Sequence, residues 1–521
     1  MKKKLIFAAA AIAMLASCSQ NDLEAPVVGQ AQQSDAIEFG TYLGKAATSR
    51  AGVAGSITTE SLKTGAHSAG FGVFAYYTGA DNYTYSSVKT DGTTGQTSKN
   101  PNFMYNQQVQ WTSGKTGYVG ADGDYAWAYT PLKYWPNEVQ AGAVDDQTTD
   151  GPATSTNSKG GKLSFFAYAP YVSAATGAEG ITGMTANSDL SDPILTYTVA
   201  NAGNDIVDLL WGTTGTNGNN VLGNAQNGVS FNAGGTDYQK SILPNYTLNA
   251  DLTKQKTEGL VSFNFKHALS KVGGSNVTTT PESKNGLMIK LDLDDGKGAE
   301  NGGTKEDATL VTVKEISIVA KAKSAASGDD KYYQTAQSGK FNLANGNWQI
   351  ESTTGASATA ATTTHIINQS GTGTNVAGTL NTDIAEDNIA YSSGWKHGTT
   401  PAEIAGVTTT AKNVYATEAA PLVYIPGTYP ELTITIDYFV RTYDGKVAGG
   451  YSEVEQVITK TLTFAQAVQL NKQYNLLIHL GLTGVKFTAT VENWDLDADG
   501  DGNVELDGDD TQSVNLPINV Q

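Results

Sequence analysis

The sequence predicts an all-β protein, organised as two β-sandwich domains in tandem. Three observations carry this. Gly (57) and Tyr (25) are numerous, and Thr, Ser and Asn are abundant. That balance favours strands, tight turns and polar loops over helices. No long stretch repeats apolar residues at helical spacing. Short alternating runs rich in aromatics recur along the chain, separated by turn residues, which is the pattern of sandwich strands. The 521 residues are long enough for two or more domains, and 39% hydrophobic content can fill their cores. A formal charge of -18 argues against nucleic acid or an anionic membrane surface as a partner.

The chain opens with Met1-Lys2-Lys3-Lys4, an apolar run from Leu5 to Ala16, and then Leu15-Ala16-Ser17-Cys18. A charged start, a short apolar segment and small residues before a cut form a secretory signal. The run is too short to span a bilayer. Leu-Ala-Ser-Cys resembles a lipobox, so residues 1–17 read as a signal peptide and Cys18 as the lipid-bearing residue. The other reading is an ordinary secretory signal with an incidental cysteine. Cys18 is the single cysteine, so no disulfide framework exists. Residues 19–35 are polar and acidic and read as a tether.

The first strand is Ile37-Glu-Phe-Gly-Thr-Tyr-Leu43, with Ile37, Phe39, Thr41 and Leu43 on one face. The chain holds two arginines, Arg50 and Arg441. Arg441 follows the alternating Ile434, Ile436, Tyr438 and Val440, so a strand shields it. Arg50 lies in a small-residue stretch with no strand or helix pattern, the kind of segment proteases cut. An arginine-specific protease would act at Arg50–Ala51.

Further strands are expected at Phe71–Tyr77, Trp127–Tyr129, Leu163–Pro170, Ile194–Val199 and Asp208–Trp211. Residues 212–258 read as a loop-rich divide. A second set runs through Leu260–Val272, Leu287–Leu293, Val311–Lys323, Tyr424–Gly427, Glu431–Thr442, Val457–Thr463, Tyr474–Leu480 and Val485–Trp494. At the end, Val514, Leu516, Ile518 and Val520 alternate without error. This strand has no hairpin partner in sequence, and such a strand invites pairing with another molecule.

The order of several motifs along most of the chain resembles the fimbrillins, subunits of type V pili. They are the lipobox, the strand before Ser49-Arg50-Ala51, Asn102–Asn106, Pro131–Pro136, Phe165–Pro170, Phe265–Val272, Gly346-Asn-Trp348, Leu422–Gly427 and Asn471–Tyr474 leading to Val485–Trp494. The resemblance implies two transthyretin-like Greek-key sandwiches with a C-terminal donor strand. It divides the chain into a signal (1–17), a propeptide with a removable strand (18–50), an N-terminal sandwich (51–255), a C-terminal sandwich (256–494) and an acidic hinge with the donor strand (495–521). It implies a lipidated precursor at the outer membrane that becomes an extracellular fimbria. Its partners are then an arginine-specific protease, further copies of itself, and tip and anchor pilins. A lipid-anchored, glycan-binding sandwich protein is the alternative.

Three other features bear on chemistry. Asp497, Asp499, Asp501 and Asn503, with Gly502 between, match the opening of a Ca²⁺ loop. Gly508 stands where a bidentate Glu is needed, so a solvated hinge is the favoured reading and no cofactor is assigned. The five histidines are scattered, and no Ser-His-Asp order, HExxH or P-loop occurs. No enzyme is expected. Tyr129, Tyr134 and Trp135 could form a sugar platform, with core packing favoured.

Overall fold

Period-two alternation decides which residues face inward, and the pairing of edges decides the rest. A computed structural model describes residues 36–42, 57, 59–79, 83, 100–118, 121–136, 161–175, 178–200, 206–214, 231–233, 236–239, 248–253, 259–274, 286–291, 309–323, 332–350, 359–382, 384–385, 411–416, 421–443, 446–448, 451–481, 484–493, 514–515 and 518–520. In chain order its strands are β1 (Glu38–Tyr42), β2 (Phe71–Gly79), β3 (Met104–Thr112), β4 (Ala126–Ala128), β5 (Lys162–Ala169), β6 (Ile181–Met184), β7 (Ile194–Thr198), β8 (Leu210–Thr213), β9 (Phe231–Ala233), β10 (Thr236–Gln239), β11 (Asn249–Leu252) and β12 (Leu260–His267). They continue as β13 (Ser270–Val272), β14 (Leu287–Leu291), β15 (Thr309–Lys323), β16 (Ser338–Asn342), β17 (Trp348–Ile350), β18 (Thr363–Asn368), β19 (Val376–Thr379), β20 (Lys412–Asn413), β21 (Leu422–Tyr424), β22 (Tyr429–Tyr443), β23 (Tyr451–Phe464), β24 (Lys472–Leu480), β25 (Val485–Asn493), β26 (Val514–Asn515) and β27 (Ile518–Val520). One short helix, α1, spans Thr59–Lys63.

The protein is all-β, with several sheets. The first has the order β11-β5-β2-β3-β4-β1-β12-β8, and β5 also pairs with β8. That last pairing closes the sheet into a barrel. Inside lie Ile37, Phe39, Phe71, Val73, Trp127, Phe165, Val261, Phe263 and Phe265. Strands β2 and β5 are buried on both faces. Their outward side chains, Phe74, Tyr76, Phe166 and Tyr168, join a second core with Leu195, Tyr197, Phe341 and Trp348. This explains why 163–169 reads as a continuous apolar run rather than an alternating one.

The second sheet, β6-β7-β16-β17-β10-β9, draws strands from both halves of the chain. Two further sheets, β20-β14-β24-β13-β21 (with β25 beside β24) and β19-β18-β15-β22-β23-β27, supply the remaining strands. Their inner faces pack through Leu287, Ile289, Leu476 and Ile478 against Ile316, Ile318, Ile434 and Ile436.

Two of the sheets draw strands from both sides of residue 255. β12 belongs to the barrel, paired with β1 and β8. β16 pairs with β7 from Ser338↔Thr198 to Asn342↔Ile194. Strand patterning fixes faces but not neighbours. The stretch 212–258 itself holds β9, β10 and β11.

His365 on β18 is 1% exposed, and neither ring nitrogen has a hydrogen-bond partner. Burial pushes its pKa from 6.5 down to about 4. The ring stays neutral in the folded chain, so its contribution is intact above pH 6.5 and is lost as the pH falls towards 4. Between pH 6.5 and pH 4.5 the wild type is expected to lose roughly 2 kcal/mol more stability than a His365→Phe variant. Urea unfolding at pH 6.5 and pH 4.5 checks this; equal losses in the two proteins would refute it.

Candidate assembly site

β1 sits in the barrel wall as a strand wedged between two neighbours. It runs parallel to β12 from Glu38↔Leu260 to Tyr42↔Asn264. On its other side it is antiparallel to β4, with the single register pair Phe39↔Trp127, and Ala36 bridges Tyr134. The Ile37 N–H donates to the Lys133 carbonyl at 2.9 Å, and the Glu38 N–H donates to the Gly259 carbonyl at 3.2 Å. The Tyr129 hydroxyl donates to the Ile37 carbonyl at 3.0 Å and accepts from the Lys133 N–H at 3.2 Å. Burial pushes the Tyr129 pKa above the usual tyrosine range, which keeps that proton in place.

Phe39 is 1% exposed and stands among four rings. Centroid distances are 5.3 Å to Tyr129, 5.9 Å to Phe165, 5.9 Å to Phe263 and 6.3 Å to Phe71. Ile37 is fully buried beside it. Thr41 is half-buried. Leu43 lies outside the described residues, as do Cys18, Arg50 and Ala51.

Beyond this, the chain re-enters the same core at Ile57 and Leu62, both buried. The Ile57 N–H donates to Asp208 Oδ2 at 3.2 Å. The same oxygen lies 2.6 Å from His267 Nδ1, and the His267 N–H donates to Asn471 Oδ1 at 3.3 Å. Asp208 is fully buried and His267 nearly so. This polar chain ties the segment after β1, the barrel strand β12 and the start of β24. Local sequence did not reveal it, because Asp208 and His267 are far apart in the chain and each is ordinary in its own context.

The C-terminal strand has partners within the molecule. β26 pairs with β25 through Thr490↔Asn515 and Val491↔Val514. β27 pairs with β23 through Leu462↔Val520, Thr463↔Asn519 and Phe464↔Ile518. It therefore crosses from the edge of one sheet to the edge of another. Its partners lie well before it in the chain. Leu516 lies outside the described residues.

The acidic stretch with Asp497, Asp499, Asp501 and Asn503 also lies outside the described residues. Among the described residues, no group of three or more His, Cys, Asp or Glu could hold a metal ion. Tyr129 and Trp135 are core residues, while Tyr134 is exposed. No helix among the described residues is long and apolar enough to cross a membrane.

A curated relative matches part of this chain. It is 27% identical over 283 residues to the fimbrium subunit Fim1C of Phocaeicola vulgatus. Over that stretch the chain is homologous to a fimbrial protein. The match covers 54% of this chain and 53% of the relative, so the chain spans about half the length of the curated relative it matches. No protein-family profile matches. Among solved structures, a fimbrial protein from Bacteroides vulgatus aligns with 88% of this chain and 99% of its own, at 19% identity and a TM-score of 0.47. That superposition is too loose to carry an argument.

Proposed function

We propose that this protein is a structural fimbrial stalk subunit that polymerises by strand exchange. Export on a lipid at Cys18 brings the precursor to the outer membrane. An arginine-specific protease cuts between Arg50 and Ala51. β1 then leaves the barrel, and the C-terminal strand of a neighbouring copy takes its place. The two halves of the chain are read as transthyretin-like Greek-key sandwiches adapted to this exchange, and the fibre joins tip and anchor pilins outside the cell.

The observation that carries this reading is the seating of Phe39 and Ile57. Both are buried in one core, and the expected cut falls between them. Losing the chain before Arg50 removes one wall strand and leaves Ile57 and everything after it anchored. While tethered, β1 rebinds at an effective concentration on the order of millimolar, which a tail from another molecule cannot match. Cutting removes that advantage. The tail must also leave β23 and β25, so it is stored in the monomer and exchanged in the fibre.

Four aliphatic side chains contribute about 6–12 kcal/mol gross on burial, and added strand pairing contributes hydrogen bonds. Ordering a free tail opposes this by about 1–2 kcal/mol per residue. Refilling an open barrel therefore supplies most of the drive. A head-to-tail contact does not close on itself and yields a filament.

Treating the precursor with an arginine-specific protease should give Ala51 as the new N-terminus and a ladder of oligomers on a native gel. Deleting 513–521 should abolish the ladder and leave the monomer folded. Cleavage at Arg50 that yields monomers only would overturn the proposal.

A further inference from the structure

We infer that the incoming C-terminal strand lies in the β1 site running opposite to β1, antiparallel to β12. This rests on the strand-exchange reading above and concerns only the direction of the donor.

Backbone and side-chain directions alternate together along a strand. Just before β1 the core-facing residue Ile37 turns its backbone to the β4 side, donating to the Lys133 carbonyl and accepting from the Tyr129 hydroxyl. Glu38, one residue on, turns its backbone to β12 through the Gly259 carbonyl. For a strand running in the direction of β1, outward-facing residues therefore bond to β12. Turning a strand end for end, with its apolar face still inward, exchanges the two sides. Core-facing residues then bond to β12.

The tail is asymmetric in this respect. By alternation in the sequence, Val514, Leu516, Ile518 and Val520 fall on its apolar face when it is extended, and Asn515, Pro517 and Asn519 on the other. Proline has no N–H and cannot donate to a ladder. In the direction of β1, Pro517 would point at β12 and interrupt the longer ladder, Glu38↔Leu260 to Tyr42↔Asn264. In the reverse direction it points at β4, where β1 itself has one register pair. Every residue meeting β12 then carries an N–H.

β12 also accepts the reverse direction. It turns towards β1 the backbone of Gly259, and by alternation that of Val261 and Phe263, whose side chains are fully buried in the barrel. In an antiparallel pair, residues that exchange hydrogen bonds carry their side chains on one face. Val261 and Phe263 would thus pair with core-facing tail residues. Antiparallel pairing is also slightly stronger per residue than the parallel pairing it replaces. Pro517 is then the feature that fixes the direction of the donor.

Disulfide trapping tests this. The outward positions on β12 are Leu260, Ser262 and Asn264, none of them buried. Leu260 and Asn264 are four residues apart, about 13 Å along the strand, whereas a disulfide needs Cβ atoms within about 4.5 Å. The full precursor carrying Cys18→Ser, with Asn515→Cys and one cysteine on β12, would be cut after Arg50 and oxidised. Covalent ladders are expected with Ser262→Cys or Asn264→Cys, and at least tenfold less with Leu260→Cys. Covalent ladders with Leu260→Cys alone would overturn the reversed direction and leave strand exchange standing. Oligomers with no covalent link to any of the three positions, or no oligomers at all, would overturn both.

Discussion

Replacing Phe39 by alanine in the uncut precursor is expected to lower the stability of the barrel by about 3–5 kcal/mol. The ring is 1% exposed and contacts Phe71, Tyr129, Phe165 and Phe263. Removing it deletes the largest side chain that β1 places in the core. The surrounding aromatic rings belong to strands held by other ladders, so they close the void only in part. Phe39→Leu should lose clearly less. It also imitates the largest side chains the C-terminal tail can offer, Leu516 and Ile518. Near-UV circular dichroism against denaturant would report the barrel transition directly. A loss below about 1 kcal/mol for Phe39→Ala would mean that β1 is a passenger in the wall, and the account of the cut as a release step would fail with it.

The second large effect is expected at His267. Its imidazole lies 2.6 Å from Asp208 Oδ2, and Asp208 is fully buried. His267→Ala leaves that carboxylate with the Ile57 N–H at 3.2 Å as its remaining hydrogen bond in this cluster. Stranding one member of a buried pair costs about 3–5 kcal/mol. Adding Asp208→Asn should recover part of the loss, because a neutral amide oxygen can still accept from Ile57 and needs no counter-charge. Chemical denaturation of the two variants and the wild type would settle the ordering. If the single variant loses less than about 1 kcal/mol, or the double variant is no better than the single one, the pair is not the anchor described above.

Much of the fold could be read from alternation. The strands at 71–77, 163–169, 194–198, 432–442 and 474–480 fall where apolar spacing and turn residues placed them, as does the inward face of Ile37 and Phe39, whereas the run 260–272 divides into β12 and β13, which belong to different sheets. The motif residues also find physical reasons. Asn102 brackets Tyr77, accepting from its N–H at 2.8 Å and donating to its carbonyl at 3.2 Å. Trp348 Nε1 donates to the Ala268 carbonyl at 2.8 Å. Asn471 adopts a positive φ of 57° where β24 begins.

Neighbourhood was not legible. Nothing local says that β7 pairs with β16, that β5 and β8 close a barrel, or that the final strand folds back on β23 and β25. Each of these joins residues far apart in the chain, and alternation is silent about which edge meets which. The same limit hid the contact between Asp208 and His267, since a solitary acid and a solitary histidine carry no signal until the fold brings them together.

The short link between β12 and β13 has a mechanical consequence. Only Ala268 and Leu269 separate the strand that borders β1 from a strand of the next sheet. Both are clamped: the Ala268 carbonyl accepts from Trp348 Nε1, and the Leu269 carbonyl accepts from the Asn471 N–H at 3.0 Å. There is no slack hinge at this point. In a filament built as proposed, tension on a strand seated beside β12 would pass along taut backbone into β13. From there it would spread over β21 and β24, which flank β13. The joint between subunits and the interior of each subunit would then bear the load in series, as consecutive links of one chain.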